Sequence, residues 1–526
     1  MEALKALCCK DLRADAFCSD DILMTKRVNA TFYKVFGFKS ILYLFMHTII
    51  ILIAGGFFRM YRLRSIDRLL KEISEQTIYF APSSAFNDPL EGRLDIVYHG
   101  DSVVWKNLFR HFLLCMEQKV TLATLHRPEE FESFFKYDFP IFIAEAELPT
   151  DLYRQHFKVI KERFFSYDKI TAWINYLGSR RTFVHNEQLY IILSFISNIA
   201  LESILYGHDQ AGFQPQTEFW IALQKTVNND PLKAMFDVIN EAEEEQVDII
   251  MELSSRMLQQ MNLLMYCNLG ENAKLINWGY FSSGFLSEYV DNLQRLIYPR
   301  WYAASFMECF PKSTSLWGHY ADSHKGACLM YNFEKSTTNN ELYIELERPK
   351  GITSSGTDKG YTPTYLKKVY YSNSEIQVDF FKRLWTQPHY IVVSEWYTSD
   401  DGQKSPLISE TNPDEETRLA YWDNLIKIQT TKTENWMDEN EYRLLINDSF
   451  HNFSEPQSRV LKYKFNALSG IVFGIRTPIE EKARIIEVIF SKCKESGQQD
   501  FPFYQARYDK EQNKIVYNKF NLLKFE

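Results

Sequence analysis

The sequence contains no C-x-x-C pair, although it holds eight cysteines, Cys8, Cys9, Cys18, Cys115, Cys267, Cys309, Cys328 and Cys493. None of their spacings suits a thiolate metal site. Scattered thiols of this kind fit a reducing cytoplasm, with several buried as small hydrophobes. Internal repeats and low-complexity tracts are also absent, which excludes a solenoid or a long unstructured linker. An excess of positive charge is missing too. With 59 Lys+Arg against 68 Asp+Glu, the formal net charge is −9, so nothing draws the whole chain to nucleic acid or to an anionic membrane. What the chain does have is aromatic rings. Its 40 Phe and 31 Tyr argue against disorder. At 526 residues, with 45% hydrophobic and 24% charged content, it exceeds one common domain. Two units, or one domain with a large insertion, are expected.

Along the chain, residues 1–59 form an extension of their own. Ile41 to Phe58 is an uncharged run between Lys39 and Arg59, just long enough for a single membrane-spanning helix. Basic residues flank it on both sides, so its orientation is poorly specified. The competing reading places the true start at Met60, where the first domain strand opens. From there, residues 60–96 read as strand, helix and strand, with Ser65 as N-cap and Ile66, Leu69, Leu70 and Ile73 as the inner helix face. Residues 97–304 look almost wholly helical, most clearly from about Pro231 to Leu269, and carry no catalytic spacing. Residues 305–526 return to strands. Glu375 to Trp396 reads as helix broken at Pro388. The tail reads β-β-α-β-β, with a capping box at Thr477-Pro478-Ile479-Glu480. The expected fold class is therefore α+β: a mixed, mostly antiparallel sheet core, with a large helical insertion between its two parts.

Three clusters carry side chains suited to chemistry. Phe86-Asn87-Asp88-Pro89-Leu90-Glu91 follows a strand, and its carboxylates Asp88 and Glu91 can face a pocket or simply stabilise a turn. Between Ser305 and Phe333, the hydroxyls Ser313, Thr314 and Ser315 precede Trp317, His319, Tyr320 and His324 on a short helix. Ser313 or Thr314 is placed to cap this helix, and Gly326 to end it. Buried Trp and Tyr with satisfied polar tips are the bland alternative. In Trp436-Met-Asp-Glu439-Asn-Glu441-Tyr442-Arg443, strict alternation puts Glu439, Glu441 and Arg443 on one strand face. An Arg–Glu structural pair is the alternative there.

Taken together, Tyr61-Arg62-Leu63-Arg64, F-N-D-P-x-E, W-x-H-Y-A-x-x-H-x-G and W-x-x-E-x-E-x-R resemble the bacterial family catalogued as domain of unknown function 2971. The resemblance runs from Met60 to the C-terminus and is dense only at these clusters. Leu63 and Pro311 depart from the family's usual residues. The order of the clusters also resembles ADP-ribosyltransferases. That likeness implies Tyr61, Arg62 or Arg64 gripping NAD as a substrate, Ser313 or Ser315 orienting its ribose, and Trp317, His319, Tyr320 and His324 around the nicotinamide. Glu441 would stabilise the charge that develops as nicotinamide leaves, and Glu439 would activate the acceptor, with Asn87, Asp88, Glu91 and Arg443 in support. The implied partners are a small-molecule nucleotide and a protein or nucleic-acid acceptor, and the implied setting is bacterial defence or a toxin-type effector in the cytoplasm. The clusters are expected to meet in one cleft, with Glu441 facing Arg62 or Arg64.

Two other classes remain open. Asp88, Glu91, Glu439, Glu441 and His319 can gather a divalent metal, as in a nuclease or phosphoesterase. Alternatively the clusters form a sensor surface without catalysis, and the helical segment binds a partner.

Overall fold

A computed structural model describes residues 57–88, 91–92, 94–125, 138–213, 244–269, 280–353, 356–374, 376–449 and 451–521. Nearly all of the apolar run 41–58, and the question of a start at Met60, therefore lie outside the described residues. The chain is α+β and divides into two compact units. Among the described residues, one comprises those within 57–92, 301–373 and 429–521; the other comprises those within 94–300 and 374–428.

The first unit is built on strands β1 (Phe58–Arg64), β2 (Trp301–Met307), β3 (Ala327–Lys335), β4 (Leu342–Thr353), β5 (Gly356–Lys368) and β6 (Glu441–Asn447). After them come β7 (Leu468–Phe473), β8 (Phe503–Asp509) and β9 (Lys514–Lys519). β2 lies between β1 and β6, then β5, β4 and β3 follow, and β3 returns to β1. Six antiparallel strands thus close on themselves, which removes open edges. β7 extends the sheet from β3, β8 runs parallel to β7 after a helical crossover (Ile479–Ser496), and β9 pairs antiparallel with β8.

Strand alternation decides which side chains meet. Tyr61 pairs with Met307, and Met307 with Glu441, so these three share one face. Arg62 points to the other face, over the ring of Phe306, which pairs with Tyr442. That other face is apolar: Leu329, Tyr331, Leu444 and Ile446 pack with Leu69 and Ile73 of the Ile66–Glu75 helix and with Ile485 and Ile489 of the crossover helix. The Tyr61 face carries Cys328, Met330 and Val472, covered by Leu316 and Trp317. β3 and β7 are buried on both sides, which is why their sequences are continuous apolar runs.

Local departures have local causes. The Thr477 hydroxyl does not cap the crossover helix, because it donates to the Gly326 carbonyl at 2.7 Å. Ser65 occupies an N-cap position without a side-chain bond. β1 already begins at Phe58, which pairs with Phe333. Of the helix read over 231–269, residues 244–269 form one and 231–243 lie outside the described residues.

The second unit is a helical body that includes Ser102–Leu125, Asp151–Phe165, Asp168–Ser179 and Asn186–Gln210. It also carries a small sheet of Asp95–Tyr98, Val184–His185 and Gln377–Asp379. Residues 374–428, read from sequence as part of the sheet core, belong here. Val378, Phe380, Phe381, Leu384, Trp396, Tyr421 and Leu425 sit in its hydrophobic core. The segment 375–396 is not one broken helix: Gln377–Asp379 is a strand, followed by separate short helical turns. Among the described residues, one helix, Asn186–Gln210, is long and apolar enough to cross a membrane. Two thirds of its most apolar window (67%) is buried, as a core helix requires.

Candidate functional site

The E-x-E-x-R segment reaches its place through a turn. Residues Glu434–Glu439 form a 3-10 turn that ends at Asn440, which takes a left-handed conformation (φ 44°) that asparagine tolerates better than most residues. Only Glu441 and Arg443 then follow strand alternation in β6. Glu439 is delivered by the turn and not by the strand, which corrects the expectation of three residues on one strand face. The Asn440 carbonyl accepts from the Glu308 N–H at 3.1 Å and ties the turn to the end of β2.

Beneath this turn lie three carboxylates and two cations, each exposing 6% of its surface or less. Arg443 donates to both oxygens of Glu441, at 2.8 and 3.0 Å, and also to Glu91 and to the Gln429 carbonyl. Lys432 sits among the carboxylates, 2.7 Å from Glu439 and 3.5 Å from both Glu91 and Glu441. Its position is set by a two-residue parallel pairing of Thr431–Lys432 with Tyr370–Tyr371. The Tyr371 hydroxyl in turn accepts from the Glu441 backbone N–H at 2.9 Å.

The other two sequence clusters close over this centre. In the F-N-D-P-x-E loop, Phe86 stacks under the Arg443 guanidinium and Asp88 accepts from the Thr433 hydroxyl at 2.7 Å. Glu91 reaches the cations, while Pro89 and Leu90 lie outside the described residues. From the Thr314–Tyr320 helix, the Tyr320 hydroxyl donates to Glu439 at 2.6 Å and accepts from the exposed Asn87 amide at 2.9 Å. Trp436 lies over the Lys432 ammonium, and the exposed His319 ring meets Trp436 edge-on. Asn87, Tyr320, His319 and Trp436 thus form a rim at the surface, linked through Tyr320 to the buried charges.

Electrostatics follow from the count. Glu91, Glu439 and Glu441 against Lys432 and Arg443 leave one negative charge in excess when all are ionised, in a place that water hardly reaches. Burial therefore pushes the Glu441 carboxyl up to about 7; Lys432 pulls it down and Glu439 adds to the rise. Burial also works against the charge of Lys432, but Glu441 and Glu439 more than offset it and hold the ammonium above its ordinary value. Burial lowers the Arg443 guanidinium to about 9, which leaves it charged at neutral pH. Burial, and then Glu439, raise the Tyr320 phenol.

Several residues singled out from sequence lie elsewhere. Arg62 and Arg64 do not face Glu441. They lie on the opposite strand face, clamped on Glu72 at 2.9 and 2.8 Å, because alternation in β1 gives the site face to Tyr61. Tyr61 itself is buried edge-on against Phe310. Trp317 is a core residue whose indole N–H donates to the Pro311 carbonyl at 2.8 Å, so it presents no stacking face. Ser313 and Ser315 bond to each other at 2.7 Å, and neither that bond nor a cap orients them toward the carboxylates. His324 lies in a left-handed turn with Asp322 and Ser323, tied through its carbonyl to the Arg476 N–H. Gly326 is not the residue that turns the chain. A Cβ there would sit 2.1 Å from the Arg64 carbonyl oxygen, so close approach to β1 requires glycine. Lys432, Trp436, Thr433 and Tyr371 were not among the residues picked out from sequence. Trp436 stood inside a motif and could have been chosen; the others had no local signal.

A family model described as a protein of unknown function (DUF2971) matches residues 316–444. The resemblance to that family thus covers the W-x-H-Y and E-x-E-x-R clusters, the two that meet at Tyr320 and Glu439. No curated protein and no solved structure matches the chain.

Proposed function

We propose that the rim of Trp436, His319, Tyr320 and Asn87 binds the ribosyl end of a nucleotide, with NAD the first to test, and that Glu439 assists cleavage of its N-glycosidic bond. One observation carries this reading: the half-buried hydroxyl of Tyr320 bonds directly to Glu439, so a buried carboxylate is joined to a rim whose Asn87 and His319 are exposed. In this reaction the C–N bond breaks and nicotinamide departs with its electron pair. The ribose is left electron-poor, and a nearby carboxylate stabilises it. Water adds at the same carbon and gives its proton to the carboxylate network. Both Glu441 oxygens are held by Arg443, so Glu441 acts through Lys432 as a positioning residue; Glu439, held by Lys432 on one oxygen and by Tyr320 on the other, is the carboxylate next to the rim and so the one that faces substrate. The charge-stabilising role that the sequence expectation gave to Glu441 thus passes to Glu439, and Glu441 becomes a positioning residue. Since Arg62 and Arg64 are spent on Glu72, the reading rests on the ribosyl end and not on a pyrophosphate grip.

The geometry favours this over a metal-dependent hydrolase at the same place. The Lys432 ammonium stands where the three glutamates would hold a divalent ion, and Asp88 is turned to Thr433. The test is incubation of the full chain with labelled NAD in EDTA, following free nicotinamide and label on protein or nucleic acid. Release of nicotinamide is expected, with label transfer reporting an acceptor other than water. No release under any condition would overturn the proposal.

A further inference from the structure

Three helices of the helical unit bring together side chains that the charge cluster does not use. Glu117 lies on the Ser102–Leu125 helix, His156 on Asp151–Phe165 and His208 on Asn186–Gln210. The Glu117 Oε1 atom is 3.9 Å from His156 Nε2 and 3.7 Å from His208 Nε2. The two imidazoles stand nearly perpendicular with centroids 4.8 Å apart, and one ligand atom from each residue falls within 4.8 Å of the other two. Glu117 is fully buried and His208 nearly so, whereas His156 is half-buried and gives the cluster its side toward solvent.

We infer that Glu117, His156 and His208 form a binding site for a divalent first-row transition ion of the zinc or ferrous class. Imidazole nitrogen with carboxylate oxygen is the donor set such ions select, whereas calcium and magnesium prefer oxygen alone. Bonds of about 2.0–2.2 Å hold ligand atoms roughly 3–3.6 Å apart, so a modest turn of the half-buried His156 ring completes the shell. The carboxylate is already oriented as a ligand. Its Oε2 accepts from the Tyr153 hydroxyl and from the Gln118 amide at 3.1 Å, and its Oε1 accepts from the Thr121 hydroxyl at 2.8 Å. Partners of this kind fix the direction of a metal-bound carboxylate. A fully buried carboxylate also needs positive charge beside it, which an ion supplies more strongly than two imidazoles do. Three protein ligands leave at least one position for water, on the His156 side.

The experiment uses the full chain, stripped with chelator, dialysed and titrated with Zn²⁺ and separately with Co²⁺. One equivalent of bound metal per chain is expected, with visible Co²⁺ d–d bands of a nitrogen-ligated site and a raised unfolding temperature. His156→Gln, at a half-buried position that tolerates the change, is expected to weaken binding at least about 100-fold and remove those bands. Glu117→Gln is the second variant, read at a temperature where circular dichroism shows it folded. Substoichiometric binding by the parent, or equal binding by parent and His156→Gln, would overturn the assignment. The nicotinamide test above is run in EDTA on a centre in the other unit, so either proposal can fail alone.

Discussion

At the scale of single residues, the charge on Glu441 governs how the sheet unit responds to pH. Its folded-state value of about 7 lies above the ordinary 4.5, so between those values the folded protein keeps a proton that the unfolded chain has lost. The stability that this proton contributes is complete below about pH 4.5 and is lost as pH rises through about 7. The slope is at most about 1.4 kcal/mol per pH unit. Glu441→Gln removes the titrating group and keeps the shape. Compared by urea unfolding at pH 5 and pH 8, the variant is expected to gain on the parent at the higher pH. Parallel behaviour of the two proteins would show that Glu441 stays ionised throughout. The arginine beside it is a different case. Arg443 serves Glu441, Glu91 and a backbone carbonyl together, so Arg443→Met would leave Lys432 as the one cation against three buried carboxylates and is expected to cost about 3–5 kcal/mol in urea unfolding.

At the scale of elements, two glycines eight residues apart play opposite parts. Gly326 is packed against the Arg64 carbonyl and the Ala321 backbone, so Gly326→Ala must force β1 and β3 apart. A loss of at least about 2 kcal/mol is expected, with reduced soluble yield. Gly318 lies inside the Thr314–Tyr320 helix, and a Cβ there meets nothing within 4 Å. Gly318→Ala is expected to raise stability by about 0.5–1 kcal/mol, because alanine loses less backbone freedom on entering a helix. Thermal melts of both variants check the pair, and a neutral Gly326→Ala would contradict the packing described. Elements also show what the sequence could reveal. The period-two spacing of Glu441 and Arg443 put both on one face of β6, as read. The same rule separates Tyr61 from Arg62, but alternation alone does not say which residue of a pair faces a site. Registers such as Tyr61–Met307–Glu441 come from strands more than a hundred residues apart, and no local pattern encodes them. Lys432 is placed by a two-residue pairing with Tyr370–Tyr371, too short to leave any periodicity.

At the scale of the whole molecule, the helical unit is made from two stretches of chain. Residues 93–300 supply most of it, and 374–428 contribute Phe380, Phe381, Trp396, Tyr421 and Leu425 to the same core. A fragment ending at Arg300 therefore lacks large buried rings, and each such loss typically costs about 3–5 kcal/mol. That fragment is expected to bind a hydrophobic dye and to unfold without a sharp transition. Addition of 374–428 in trans is expected to restore cooperativity; a sharp melt by 93–300 alone would contradict the shared core. The Glu117, His156 and His208 cluster is also a property of this scale, since its members are dozens of residues apart and share no motif.

The most direct test sets the two faces of the sheet against each other. Nicotinamide release from NAD is measured for the parent, for Glu439→Gln on the site face and for Arg64→Ala on the opposite face, each corrected for folded fraction. The expected result is a fall of about 10²–10³ for Glu439→Gln and a change of no more than a few-fold for Arg64→Ala. An inactive parent, or an equal loss in both variants, would contradict the assignment of the site to Glu439 and the Tyr320 rim.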